Sequence, residues 1–151
     1  MSHLDNEIHL LKEELIEMQR LVRSQLTKCK NALFHFDTDL AKEVLANEKR
    51  VNALELKIDR DCENILALQS PLAIDLRFIL AALKINSNME RIGDNAEGIA
   101  RYVLDVTVPF DEQMIKDYEI GRMYQVAVSM MDDALDALIN EDTSLARKVF
   151  L

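Results

Sequence analysis

Apolar side chains recur every three or four residues along the first quarter of the chain: Ile8, Leu11, Leu15, Met18, Val22, Gln25, Cys29, Ala32 and Phe36. Only Gln25 interrupts the row. This period marks one face of a long helix that packs lengthwise on other helices. The helix is predicted to end near "FHFDTD", where Asp37 or Thr38 can cap the next one. A second row follows: Leu40, Val44, Asn47, Val51, Leu54, Ile58, Asp61, Ile65 and Leu68. It is predicted to stop at "QSPLA", with Ser70 as N-cap and Pro71 at the first helical position, where a missing N–H costs nothing. The third helix is predicted from Pro71 to about Asp105, before "VTVPF". Each helix of roughly 30 residues is about 45 Å long. Turns this short make neighbours antiparallel. The pattern therefore predicts an all-α fold, with an antiparallel three-helix bundle over residues 1–107.

Residues 108–151 read as the opening of a second, incomplete unit. A fourth helix is expected from about Glu112 to Ile139, with the stripe Met114, Tyr118, Gly121, Tyr124, Val128, Met131, Leu135 and Leu138. A fifth begins after "NEDTS". The segment "ALFHFDTDLAKEVLA" (32–46) aligns without gaps to "ALINEDTSLARKVFL" (137–151), an offset of 105 residues. Gapless matching across a turn favours an internal repeat. On this reading the fourth helix lacks its antiparallel partners, and its stripe is exposed in a lone chain, which is unfavourable. Either the chain is a fragment of a longer protein, or a second copy covers the stripe, as in a homodimer.

Composition narrows the function. Against 18 Lys and Arg stand 27 Asp and Glu, a formal net charge of −9. A protein that binds nucleic-acid backbone carries a basic face, so nucleic acid is excluded as the expected partner. The 3 Gly and 2 Pro suit a few long helices. Cys29 and Cys62 stand apart with no C-x-x-C, and read as buried thiols of a reducing compartment. The charged N-terminus lacks a signal-peptide core. The apolar run "FILAAL" (78–83) falls far short of the ~20 residues that span a bilayer. The expectation is a cytoplasmic protein without membrane insertion.

The third helix carries two faces. One is apolar throughout: Phe78, Ala82, Ile85, Met89, Ile92, Ala96, Ile99 and Val103. The other begins with Leu72, Leu76, Ile79 and Leu83 and continues as Asn86, Glu90, Asp94, Glu97 and Arg101. A merely solvated face has no need of four aliphatics, so this one is expected to meet another bundle or a partner. Glu90 and Asp94, at i and i+4, have Cβ atoms about 6 Å apart. Counting back across the hairpin places Glu90 level with Glu48 and Asn52 of the second helix, with Glu55 one turn on. An all-oxygen set suits Mg²⁺, Ca²⁺, Mn²⁺ or iron, and zinc less so. Alternatively, Arg50, Arg91 and Arg101 neutralise the acids as a salt-bridged face. Gly93 and Gly98 permit close approach of a helix or of a ligand. No nucleophile–base pair and no phosphate loop is visible, so no enzyme is indicated. A carboxylate-bridged metalloenzyme would show Glu-x-x-His motifs, and none is present. A structural helical oligomer, or another metal-binding helical adaptor, is the alternative.

The segment "LQSPLAIDLRFILAALKINSNMERIGDNAEGIA" (68–100) resembles the signature of the PhoU family of phosphate-uptake regulators. Gln69, Pro71, Ala73, Asp75, Leu76 and Arg77 match its first part. Glu90, Arg91, Ile92, Gly93 and Asp94, then Ile99 and Ala100, match its second. The resemblance implies two three-helix repeats, the second truncated here. It implies a metal held by Glu48, Asn52, Glu90 and Asp94, with Asn52 standing where the family usually has an acid. It also implies a cytoplasmic adaptor between a phosphate ABC transporter ATPase and a sensor histidine kinase, keeping phosphate-starvation genes off when phosphate is plentiful.

Overall fold

A computed structural model describes residues 2–150. Met1 and Leu151 lie outside the described residues, and with Leu151 the last position of the repeat alignment. Six helices are formed among the described residues: α1 (His3–His35), α2 (Thr38–Gln69), α3 (Ala73–Asp105), α4 (Glu112–Asp117), α5 (Ile120–Ile139) and α6 (Thr143–Lys148). No strand occurs among them.

The helix ends are written locally. Ser2 and Asp5 form a reciprocal capping box at the start of α1, satisfying two N–H groups that have no partner within the helix. Asp37 caps α2, its side chain accepting from Leu40 N at 3.0 Å. The α2–α3 turn departs from expectation. Ser70 does not cap α3; it closes α2 in the left-handed conformation at φ 46°, and α3 starts at Ala73 behind an extended Leu72 with no side-chain cap. Pro71 disfavours helical backbone in the residue before it, so Ser70 is displaced out of the helix rather than beginning a new one.

α1, α2 and α3 pack as an antiparallel bundle around one core. Leu11, Leu15, Met18 and Val22 of α1 are buried, with Val44, Val51 and Ile58 of α2 and Phe78, Ala82, Met89, Ala96 and Val103 of α3. The seam of α2 keeps Val44, Val51, Ile58 and Ile65 of the predicted row, but its alternate positions fall one residue later. It passes through Ala41, Val44, Glu48, Val51, Ile58, Cys62 and Ile65, while Leu68 is exposed. A carboxylate thus occupies a core position. The second face of α3 is also covered within its own bundle. Ile79 and Asn86 are fully buried, and Asn86 Nδ2 donates to Glu55 O at 3.0 Å and Asp59 Oδ1 at 2.9 Å on α2. The middle of that face meets the hairpin partner; Leu72 at its start and Asp94 and Arg101 towards its end stay exposed.

The predicted fourth helix is two helices. Tyr118 and Glu119 break it, with Glu119 left-handed at φ 49°. Met114 and Tyr118 of the expected stripe are exposed, so no neighbour holds that end in line. The remainder of the stripe is not exposed as expected. Met131 and Leu135 are buried, and α5 is pinned to α1 where Gln19 and Arg23 each reach Asp132 at 2.9 Å. The exposed apolar surface of α5 is instead its outer face, with Met123, Val126 and Met130.

The turns at the two ends of the repeat alignment are built alike. Phe36 and Glu141 are both left-handed, at φ 51° and 54°. Asp37 N donates to Ala32 O at 3.0 Å, and Asp142 N donates to Ala137 O at 2.9 Å. Asp37 and Asp142 then each cap the helix that follows. Residues aligned at the 105-residue offset therefore make the same turn.

Candidate metal centre

The α2–α3 hairpin brings Glu48, Glu90 and Asp94 together. One oxygen from each lies within 4.8 Å of the others. Asn52, the fourth predicted residue, is exposed one turn beyond Glu48 on α2. Glu48 is buried, Glu90 half-buried and Asp94 exposed, so the cluster opens from the core towards solvent.

Glu48 is buried because Gly93 faces it. A Cβ on Gly93 would stand 3.6 and 3.7 Å from the two Glu48 oxygens and 3.2 Å from Val51 Cγ1. A methyl there would press on Val51 and lie in ordinary contact with the carboxylate. Gly98 is different: a Cβ there meets nothing within 4 Å. It opens on a cavity of about 640 Å³ lined by Leu33, Asp94, Tyr102 and Phe110 among others.

The electrostatics are those of an under-neutralised acidic site. Burial, with the Asp94, Glu55 and Glu48 charges behind it, pushes Glu90 up to about 7. Burial also raises Glu48; the hydrogen bond from Gln25 opposes the rise, and Glu97 and Asp94 add to it. Glu55 is raised by burial, Asp59 and Asp94. The salt-bridged alternative is met only at the edge. Arg101 pairs with Glu97, and among the described residues neither Arg50 nor Arg91 forms an ion pair with the cluster. Glu48 Oε1 is buried with no hydrogen-bond partner. An unpaired buried carboxylate oxygen is costly, and a divalent cation among these oxygens removes both that cost and the mutual repulsion. The donor set fits a hard or borderline cation; the three residues that would hold it are Glu48, Glu90 and Asp94.

One participant was not legible as a site residue, and a second was read only as part of the acidic face. Gln25 reads in the sequence as a flaw in the α1 stripe, yet it is buried and bonded to Glu48. Glu97 lies close enough to raise Glu48. The signal for Gln25 was present: a single polar residue in an otherwise apolar buried row needs a polar partner.

The PhoU domain family model matches residues 15–103. The chain is 34% identical over 149 residues to a Burkholderia phosphate-specific transport system accessory protein PhoU homolog, covering 98% of this chain and 63% of that protein. It therefore spans less than two-thirds of that relative's length. The crystal structure of PhoU from Pseudomonas aeruginosa superposes with a TM-score of 0.82 at 30% identity, over 97% of this chain and 69% of that one. The phosphate transport system regulatory protein PhoU from Streptococcus pneumoniae gives 0.84 at 28% identity, over 97% and 68%. These names describe accessory and regulatory proteins rather than enzymes.

Proposed function

This chain belongs to the PhoU family, and from that membership we propose that it is a cytoplasmic regulator of phosphate uptake whose α2–α3 hairpin binds a divalent or iron-type cation. The observation that supports the metal most is the convergence of Glu48, Glu90 and Asp94 around a buried, unpartnered Glu48 oxygen. Asn52, one turn from Glu48, is a further neutral oxygen donor at the rim. The cation would brace α2 against α3 and fix the shape of a body that works by contact. In the regulatory role the chain acts as an adaptor between a phosphate ABC transporter ATPase and a sensor histidine kinase. The accessory role in the relatives' names supports that reading, as does an acidic helical body without a nucleophile–base pair among the described residues.

The same reading takes residues 1–107 as one bundle and 108–151 as the opening of a second. At the 105-residue offset, Met18, Val22 and Gln25, which α1 buries, correspond to Met123, Ala127 and Met130 on the outer face of α5. Helices equivalent to α2 and α3 would cover that face in a complete second bundle; in the 151-residue chain a second copy covers it.

Complementation tests the regulatory reading. The chain is expressed in a bacterium lacking its own family member and carrying a phosphate-starvation reporter. Repression of the reporter in phosphate-rich medium supports the proposal, and a reporter that stays on despite confirmed expression contradicts it.

A further inference from the structure

We infer that Gln25, on α1, is a positioning residue for the metal centre, holding the Glu48 carboxylate so that one oxygen is presented to the cation. This inference rests on the metal reading above.

Gln25 is 1% exposed and sits at the level of Glu48 in the three-helix core. Its Nε2 donates to Val44 O at 2.8 Å and to Glu48 Oε2 at 3.2 Å. The Val44 carbonyl accepts only from an N–H, which fixes which end of the amide points at α2. Two donor hydrogens then serve two acceptors, one of them anionic, and neither end of the bond is free to rotate away. Glu48 Oε1 is left buried and unpartnered, on the carboxylate that approaches Glu90 and Asp94. A carboxylate restrained through one oxygen presents the other in a fixed direction. Outer partners of this kind set ligand orientation and weigh on affinity.

Packing alone does not require glutamine here. Methionine matches glutamine closely in length and can fill such a core position without donating a hydrogen bond. A polar residue in the buried α1 stripe is unfavourable unless its bonds are made; Gln25 makes both through Nε2, while its Oε1 is buried with no partner. Its partner, Glu48, is a side chain the cation reading requires in any case. Gln25 thus links α1 to a site built by α2 and α3.

The test is a calorimetric titration of Mn²⁺ into the metal-stripped 151-residue chain, comparing wild type, Gln25→Met and Glu90→Gln. Gln25→Met is expected to weaken Mn²⁺ binding about 10- to 100-fold, with helical circular dichroism retained and unfolding in chelator unchanged or shifted upward. A purely structural residue would lower the stability in chelator and leave the Mn²⁺ affinity alone. Binding by a folded Gln25→Met variant within about twofold of wild type overturns the inference. Should Gln25→Met not fold, Gln25→Asn, which keeps the amide one methylene short, is read by the same affinity criterion. Glu90→Gln separates the two levels. Loss of binding there with Gln25→Met unaffected refutes only the positioning role, whereas unaltered binding in both refutes the metal reading as well.

Discussion

At the scale of single residues, the two helical glycines of the acidic stretch have opposite surroundings. Gly98 sits in a helix with open space beside it, so Gly98→Ala is expected to stabilise the chain by about 0.5–1 kcal/mol through backbone entropy. Gly93→Ala adds a methyl 3.2 Å from Val51 Cγ1 and 3.6 Å from Glu48. It should fall short of Gly98→Ala by about 1 kcal/mol or more, which paired urea unfolding curves measure. Glu90 gives a pH prediction. Its carboxyl is raised from 4.5 to about 7, so between those values the folded chain holds a proton that the unfolded chain releases. The Glu90 contribution to stability in chelator is therefore full below pH 4.5 and is lost as pH rises through about 7. Glu90→Gln should flatten that decline in melts recorded across the range, and saturating divalent cation should reverse it. The acids were legible from their spacing. The depth of Glu48 was not, because the apolar row leaves open whether Asn47 or Glu48 fills the core position between Val44 and Val51.

At the scale of elements, α1 to α3 followed from the three- and four-residue period, since each helix has a continuous apolar seam and a neighbour to receive it. The errors fall where a single backbone residue decides the outcome. Ser70, Ala73 and Glu119 all adopt positive φ, which period alone does not reveal in residues other than glycine. α5 supplies the test at this scale. Leu135 is fully buried against α1 and its neighbours, whereas Met123 is 62% exposed. At a concentration low enough for the chain to be monomeric, Leu135→Ala should cost about 2–5 kcal/mol and Met123→Ala less than about 0.5 kcal/mol. Loss of the α5–α1 contact is read by faster amide hydrogen exchange in α5. Equal effects of the two substitutions would mean that α5 docks through its other face.

At the scale of the whole molecule, an acidic chain with net charge −9 concentrates repulsion at one hairpin and leaves the outer face of α5 apolar and open. The first feature was readable as a question in the sequence and became specific through the resemblance. The second was misplaced, because the sequence shows an apolar stripe but not which side of it α1 occupies. Light scattering on the 151-residue chain is expected to show a dimer that Met130→Glu dissociates; a stable monomer in the wild type would remove the role given to that face. The central claim, that Glu48, Glu90 and Asp94 form a cation site, has a more direct test. Metal-stripped wild-type chain and a Glu90→Ala, Asp94→Ala double variant are dialysed against the same Mn²⁺ solution and their bound metal is measured by elemental analysis. Wild type should retain manganese, and at Mn²⁺ about 100-fold above Kd should gain about 2.7 kcal/mol of stability. The double variant should retain none above background. Equal metal content in the two proteins would contradict the account.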